Sequence, residues 1–255
     1  MKLELNPLAA ALFALAVALP SAAPAEPFNA DQRDEIGKIV REYLLKNPTL
    51  LREVMKELET VEAAAEAEKH RAALADLGPI VFNSPHHVVL GNPQGDVTFV
   101  ELFDYNCGYC KRAVSDMLDL MKGDPKLRVV LKEFPVLGEG STQAAQVAVA
   151  VRMQDKTGKK YLDFHQKMFN GRGAADKAKA IAVAKEIGLD MRQLEKDMAS
   201  DEVKTTLGES FKIAEGIGLN GTPSYVIGNE VIVGAVGFDQ RRRLAVVEHK
   251  TVERG

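Results

Sequence analysis

The chain of 255 residues contains no tryptophan and only two cysteines, Cys107 and Cys110. Without a second cysteine pair there is no four-cysteine zinc site. The five histidines, His70, His86, His87, His165 and His249, show no spacing that would complete one. Neither sign of charge dominates, because 33 Lys and Arg stand against 36 Asp and Glu for a net charge of −3. Nucleic acid and anionic membrane surfaces are therefore not expected as partners. Long apolar runs are also scarce. The run at residues 8–19 falls short of the roughly 20 residues that a membrane helix needs.

That short run has the context of an export signal. Lys2 and the amino terminus precede it, and Pro20, Ser21, Ala22, Ala23, Pro24 and Ala25 follow it. Small residues so placed predict cleavage near Ala25 and a mature protein in the periplasm, where disulfides can form. Residues 1–25 are accordingly read as a signal peptide.

Residues 26–77 are helical in pattern. Ile36, Ile39, Val40, Tyr43 and Leu44 recur at helical spacing, and Asn47-Pro48 ends one helix and starts the next. Leu51, Val54, Leu58, Val61, Ala65, Ala72 and Ala75 then follow a heptad spacing broken at Glu68. This predicts an oligomerisation stalk, the alternative being an amphipathic helix packed on its own domain. Gly78-Pro79 and Asn83-Ser84-Pro85 read as a linker over 78–87.

Beyond the linker the pattern alternates. Strands are expected at 88–90, 97–103, 127–134, 224–227 and 231–233, with helices at 111–121 and 238–249. A helical block at about 138–219 interrupts them. The order is that of a thioredoxin-like α/β domain, residues 88–255, with a helical insertion.

Cys107-Gly108-Tyr109-Cys110 follows the buried strand and opens a helix. A bridge over two intervening residues constrains the unfolded chain little, so the pair is better explained by chemistry. A cysteine at a helix N-terminus is favoured as a thiolate by the helix dipole and free N–H groups. Cys107 is therefore read as the attacking thiol and Cys110, one turn in, as the resolving thiol. Glu101, in a strand apolar on both faces, is costly there unless it has a task or a partner. Gly221-Thr222-Pro223 precedes another strand, and its X-Pro bond could be cis or an ordinary trans bond.

The segment Phe99-Val100-Glu101-Leu102-Phe103-Asp104-Tyr105-Asn106-Cys107-Gly108-Tyr109-Cys110, together with Gly221-Thr222-Pro223, resembles the DsbA family of exported thiol oxidoreductases. The resemblance covers about residues 88–248. It implies a redox-active Cys107–Cys110 disulfide with no other cofactor and a cis-proline at Pro223. Substrate would be held by Thr222, Pro223, Gly108 and Tyr109, with Glu101 exchanging a proton with Cys110. The Gly-Tyr dipeptide and Thr222 depart from the strongly oxidising members, which carry Pro-His and Val. They are similar instead to periplasmic disulfide isomerases, and the N-terminal helices resemble the stalk of the suppressor-of-copper-sensitivity protein C group. That similarity implies a homotrimer through residues 29–77, misfolded secreted proteins as substrates and a membrane thiol electron donor. The competing readings are a monomeric dithiol oxidase and a copper-tolerance module holding Cu(I) on Cys107 and Cys110.

Overall fold

A computed structural model describes residues 28–237. The expected signal peptide and the expected closing helix at 238–249 lie outside these described residues. The chain divides into two units, Met1–Leu58 and Glu59–Gly255.

In the first unit, helix α1 spans Ala30–Lys46 and buries none of its residues. Its start is fixed by a reciprocal cap. The Gln32 backbone N–H donates to Asn29 Oδ1 at 2.8 Å, and the Asn29 N–H donates to Gln32 Oε1 at 3.0 Å. Helix α2, Pro48–Phe82, begins where the Asn-Pro pair predicts. Leu51, Val54 and Leu58 on α2 are exposed, as are Ile39 and Tyr43 on α1.

The second unit is built on a five-stranded sheet, β1 (Val88–Gly91), β2 (Val97–Phe103), β3 (Leu127–Glu133), β4 (Ser224–Ile227) and β5 (Glu230–Val233), in the order β1-β3-β2-β4-β5. Only β2 and β3 are parallel, joined over helix α3 (Gly108–Gly123). A block of five helices separates β3 from β4: α4 (Glu139–Gln154), α5 (Lys159–Asn170), α6 (Lys177–Glu186), α7 (Met191–Met198) and α8 (Asp201–Gly216). This is the thioredoxin-like arrangement with a helical insertion.

The alternation of strand side chains explains the unbroken apolar run of β2. Val97, Phe99 and Phe103 enter one core with Met117, Phe164 and Tyr225, whereas Val100 and Leu102 enter a second core on the opposite face. Glu101 has the parity of Phe99 and Phe103, so it faces the first core.

The second core corrects the expected boundary at 77. Helix α2 continues through Gly78-Pro79 to Phe82, and Leu74 and Val81 are buried against Val100, Leu102, Val130, Ile213 and Val226. Ala72 and Ala75, placed on the heptad seam by the sequence, are exposed. The physical reason is size. The bare sheet face needs large cover, and Leu74, Leu77 and Val81 share one helical face that supplies it. Close approach follows, because a Cβ on Gly216 would come within 2.4 Å of Leu77 Cδ1. A buried lysine locks this end. Lys132 Nζ donates to Ile80 O at 2.7 Å and to Glu209 Oε1 at 3.0 Å, and Glu209 also accepts from Ser84 Oγ at 2.7 Å. Burial pulls the Lys132 ammonium below the ordinary lysine range, against the opposing pull of Glu209.

The first core holds a polar island. Glu133 accepts hydrogen bonds from Tyr161 Oη and from Tyr105 Oη, the latter at 3.3 Å. Tyr105 Oη lies 3.4 Å from His165 Nδ1. Phe103 meets the His165 ring edge-to-face at 4.6 Å. Burial raises the Glu133 carboxyl well above its ordinary range and lowers His165 to about 3. His87 also falls to about 3, from burial first and then from repulsion by Lys132, Arg128 and Arg152.

Both histidines are neutral in the folded protein and protonate at the ordinary value of 6.5 once unfolded. The unfolded state therefore binds more protons between 6.5 and about 3, and stability falls as pH falls through that window. Each histidine should contribute a slope of about 1.4 kcal/mol per pH unit. Urea unfolding of His165→Phe, which keeps the aromatic packing, should show one such share of the slope removed. A slope equal to that of the parent would refute the neutral assignment.

Candidate active site

Four segments meet at the N-terminus of α3. Cys107 is the N-cap of this helix, with φ −81° and ψ 115°, and its Sγ accepts the Cys110 backbone N–H at 3.4 Å. The sulfur that caps the helix is thus the first thiol of the pair. Cys107 keeps 7% of its surface exposed, whereas Cys110, one turn in, keeps none. Only the first thiol opens to solvent.

The loop before β4 closes over this pair. The Thr222-Pro223 peptide bond is cis, and Cys107 Sγ donates to Thr222 O at 3.2 Å. Ser224 Oγ donates to Gly221 O at 2.7 Å, and the Gly234 N–H donates to Pro223 O at 2.9 Å, which fixes the loop at both ends. Residues 115 positions apart are thereby brought to contact. Gly108 and Tyr109 stand at the open front, with Tyr109 exposed and the Arg112 guanidinium 4.4 Å above its ring.

Glu101 lies beneath the pair, 3% exposed. Burial first, and then the negative charge of Glu101, push the Cys110 thiol far above its ordinary range. A backbone hydrogen bond from Asp104 opposes them in part. The structure therefore groups Cys107, Cys110, Glu101, Thr222 and Pro223 as the sequence expects.

Sequence reasoning missed what holds this group. The buried Asp104 carboxylate accepts the backbone N–H groups of Asn106, Val136 and Leu137 at 2.7, 2.8 and 2.9 Å and the Ser141 hydroxyl at 2.7 Å. Asn106 in turn donates to Ser141 Oγ and Ala175 O, each at 2.9 Å, and accepts the Ala175 N–H at 2.7 Å. These bonds tie the cysteine turn to the β3–α4 connection and to the residue before the α6 cap. The available signal was the polar Asp104 and Asn106 wedged between a buried strand and the first cysteine, where each needs a partner.

Residues 98–244 match the family model of the DSBA-like thioredoxin domain, and residues 32–65 match that of the copper resistance protein ScsC N-terminal domain. A thioredoxin-like oxidoreductase from Silicibacter pomeroyi is 41% identical, with a TM-score of 0.64 over 68% of this chain and 97% of that one. A linker-deletion mutant of Proteus mirabilis ScsC is 26% identical, with a TM-score of 0.66 over 89% of this chain and 100% of that one. The thiol:disulfide interchange protein DsbA of Bordetella pertussis is 25% identical over 62% of this chain and 77% of its own length. The chain spans only 29% of another curated relative, the Na(+)/H(+) antiporter NhaA of Herminiimonas arsenicoxydans, at 28% identity over 71% of this chain. With the cysteine turn, the facing cis-proline loop and this match in hand, the chain belongs to the DsbA-like thioredoxin family and is a thiol–disulfide oxidoreductase of the DsbA/ScsC type.

Proposed function

We propose that the protein is an exported, oligomeric disulfide isomerase and reductase that acts on misbridged secreted proteins. The observation that carries the isomerase reading is the exposed apolar stripe of α2, within a segment matching the ScsC N-terminal domain. Leu51, Val54, Leu58 and Val61 are each 41% to 56% exposed. A stripe of this kind is an association site. Several subunits would gather several reactive thiols around one substrate. The export pattern at residues 1–25 supports a periplasmic location, with a membrane thiol protein keeping the pair reduced.

In this mechanism the Cys107 thiolate attacks a substrate disulfide. The substrate S–S bond breaks, a Cys107–substrate disulfide forms, and a substrate thiolate is released. The Thr222 carbonyl and cis-Pro223 hold the substrate backbone, and Gly108 and Tyr109 leave the approach open. For isomerisation the released thiolate attacks another disulfide of the same substrate. The thiolate so freed attacks the Cys107–substrate disulfide, which forms the new substrate S–S bond and releases Cys107 as thiolate, with no net redox change. For reduction, Cys110 attacks Cys107 Sγ. The substrate leaves with two electrons more, and Cys107 and Cys110 become a disulfide. Cys110 must first lose a proton from a thiol that burial holds neutral, and Glu101 receives it.

Glu101→Gln should therefore slow resolution of the mixed disulfide by about 100-fold while leaving the first attack near its parental rate. Quenched-flow trapping of the mixed disulfide separates the two steps. Equal slowing of both would assign Glu101 a structural role.

The stripe predicts a homo-oligomer, and the resemblance of its segment to the suppressor-of-copper-sensitivity protein C group implies a trimer. Each fully buried Leu or Val side chain contributes roughly 1.5–3 kcal/mol, so a few per chain suffice to hold an assembly. Leu51→Glu with Leu58→Glu in the full chain should give monomers in solution mass measurements. Those monomers should still exchange with a simple dithiol yet lose most isomerisation of a scrambled multi-disulfide protein. A parent that is already monomeric would leave the dithiol-oxidase reading ahead. A truncation that makes the same point must stop short of Leu74, which is core.

The match to a copper resistance protein domain favours a second role for the same pair. Two thiolates are soft ligands suited to Cu(I), and Cys107 and Cys110 would hold it. The reduced parent should retain Cu(I) on desalting against a weak competing chelator, and Cys107→Ser should not. Equal retention by both would place any copper elsewhere.

A further inference from the structure

A groove of about 250 Å³ runs beside Cys107, on the side of the helical insertion. Cys107, Gly108, Lys111, Phe169, Gly173 and Lys179 are among its lining residues, and none of the lining residues is acidic. The two lysines come from different elements. Lys111 lies in the first turn of α3, and Lys179 in the first turn of α6. A helix N-terminus carries partial positive charge, so cations there are disfavoured and acids preferred. Neither first turn contains an acid. The α3 start thus breaks this rule, whereas the α6 start meets it with its Asp176 cap, and both lysines line one groove. A local violation of this kind is expected where function requires it.

The lysines are neighbours. Burial, and then repulsion from Lys111, lower the Lys179 ammonium below its ordinary range, against the opposing pull of Asp176. Lys179 Nζ donates to Gly171 O at 3.2 Å and Gly173 O at 3.5 Å. An ammonium group has three donors, so one remains for a ligand. Of the nearby carboxylates, Asp104 is saturated by its four donors, and Asp176 caps α6 by accepting the Lys179 backbone N–H at 2.8 Å while its charge attracts the Lys179 ammonium. Lys111 is exposed.

We propose that Lys111 and Lys179 determine substrate specificity by holding, in this groove, a carboxylate side chain of the substrate peptide that neighbours its reacting cysteine. The inference rests on the thiol-exchange reading above and names the substrate class of that site. Cys107 lines the groove together with the two lysines, so a residue adjacent to the attacked cysteine would reach the ammonium groups while the disulfide reaches Cys107. The pairing steers encounter and orients the peptide, and it is weakened by salt.

The test uses the reduced full-length protein and three disulfide-linked peptides, identical except for Glu, Gln or Lys beside the reacting cysteine. One set carries the varied residue before the cysteine and one after it. Second-order rates are measured at low and high salt. In at least one set the Glu peptide should react about five-fold faster than the Lys peptide at low salt, and the ratio should shrink at high salt. Lys111→Glu, on an exposed side chain, should reverse the order. Lys179→Gln should reduce the ratio, and Lys111→Glu keeps the test decisive if the loss of Lys179 disturbs the Gly171–Gly173 loop. Equal rates for the three peptides would overturn the proposal. So would a Lys111→Glu variant that slows all three alike, because the lysines would then act on Cys107 alone. Reaction that persists in Cys107→Ser would instead defeat the underlying thiol-exchange reading.

Discussion

The Asp104 carboxylate is the constraint on which the site depends. It accepts four hydrogen bonds within 2.9 Å, three of them from backbone N–H groups that no sheet or helix satisfies. Chain leaving a central strand toward a helix would otherwise bury those donors unpaired, at a cost of about 1–3 kcal/mol each. By taking all of them, Asp104 fixes where β2 ends, where the β3–α4 connection lies and how Cys107 enters α3. Asn106 extends the same lattice to Ala175. The helical insertion is therefore joined to the cysteine turn by hydrogen bonds as well as by apolar packing.

The reactive pair sits in a gradient of burial. Cys107 touches solvent and caps a helix, whereas Cys110 is fully enclosed with Glu101 below it. The same motif thus offers one accessible sulfur and one whose ionisation is suppressed. Neighbouring carboxyls are sorted in a related way. Asp104 is surrounded by donors, whereas Glu133 lies deep among Tyr105, Tyr161 and His165, where burial favours its protonated form. Two adjacent positions on β3, Lys132 and Glu133, therefore put ionisable groups into opposite cores. Each core meets its group with partners from helices remote in sequence.

Helix α2 has two tasks along one axis of residues. Its early turns present Leu51, Val54 and Leu58 to solvent, and its last turns cover the sheet face with Leu74 and Val81. The two are separated by a stretch of charged residues and alanines at 62–73, after which large apolar residues cluster again. Gly216 on α8 permits the close approach of Leu77.

The cysteine pair, the strand that feeds it and the order of elements were legible in the sequence, because they are carried by local signals. These are a period of two, a period of 3.6, turn residues and a spacing of three. Cys107, Cys110, Glu101, Thr222 and Pro223 were named from those signals and from resemblance, and the fold brings them together. Other features were decided only by packing. Gly78-Pro79 reads locally as a break, yet the bare apolar face of Val100, Leu102 and Val130 draws the helix through it to Phe82. The partners of Asp104 and Glu133, and the convergence of Lys111 and Lys179, involve residues tens of positions apart. Local pattern specifies which way a side chain points from its own element, but only the assembled sheet and insertion determine what it meets there.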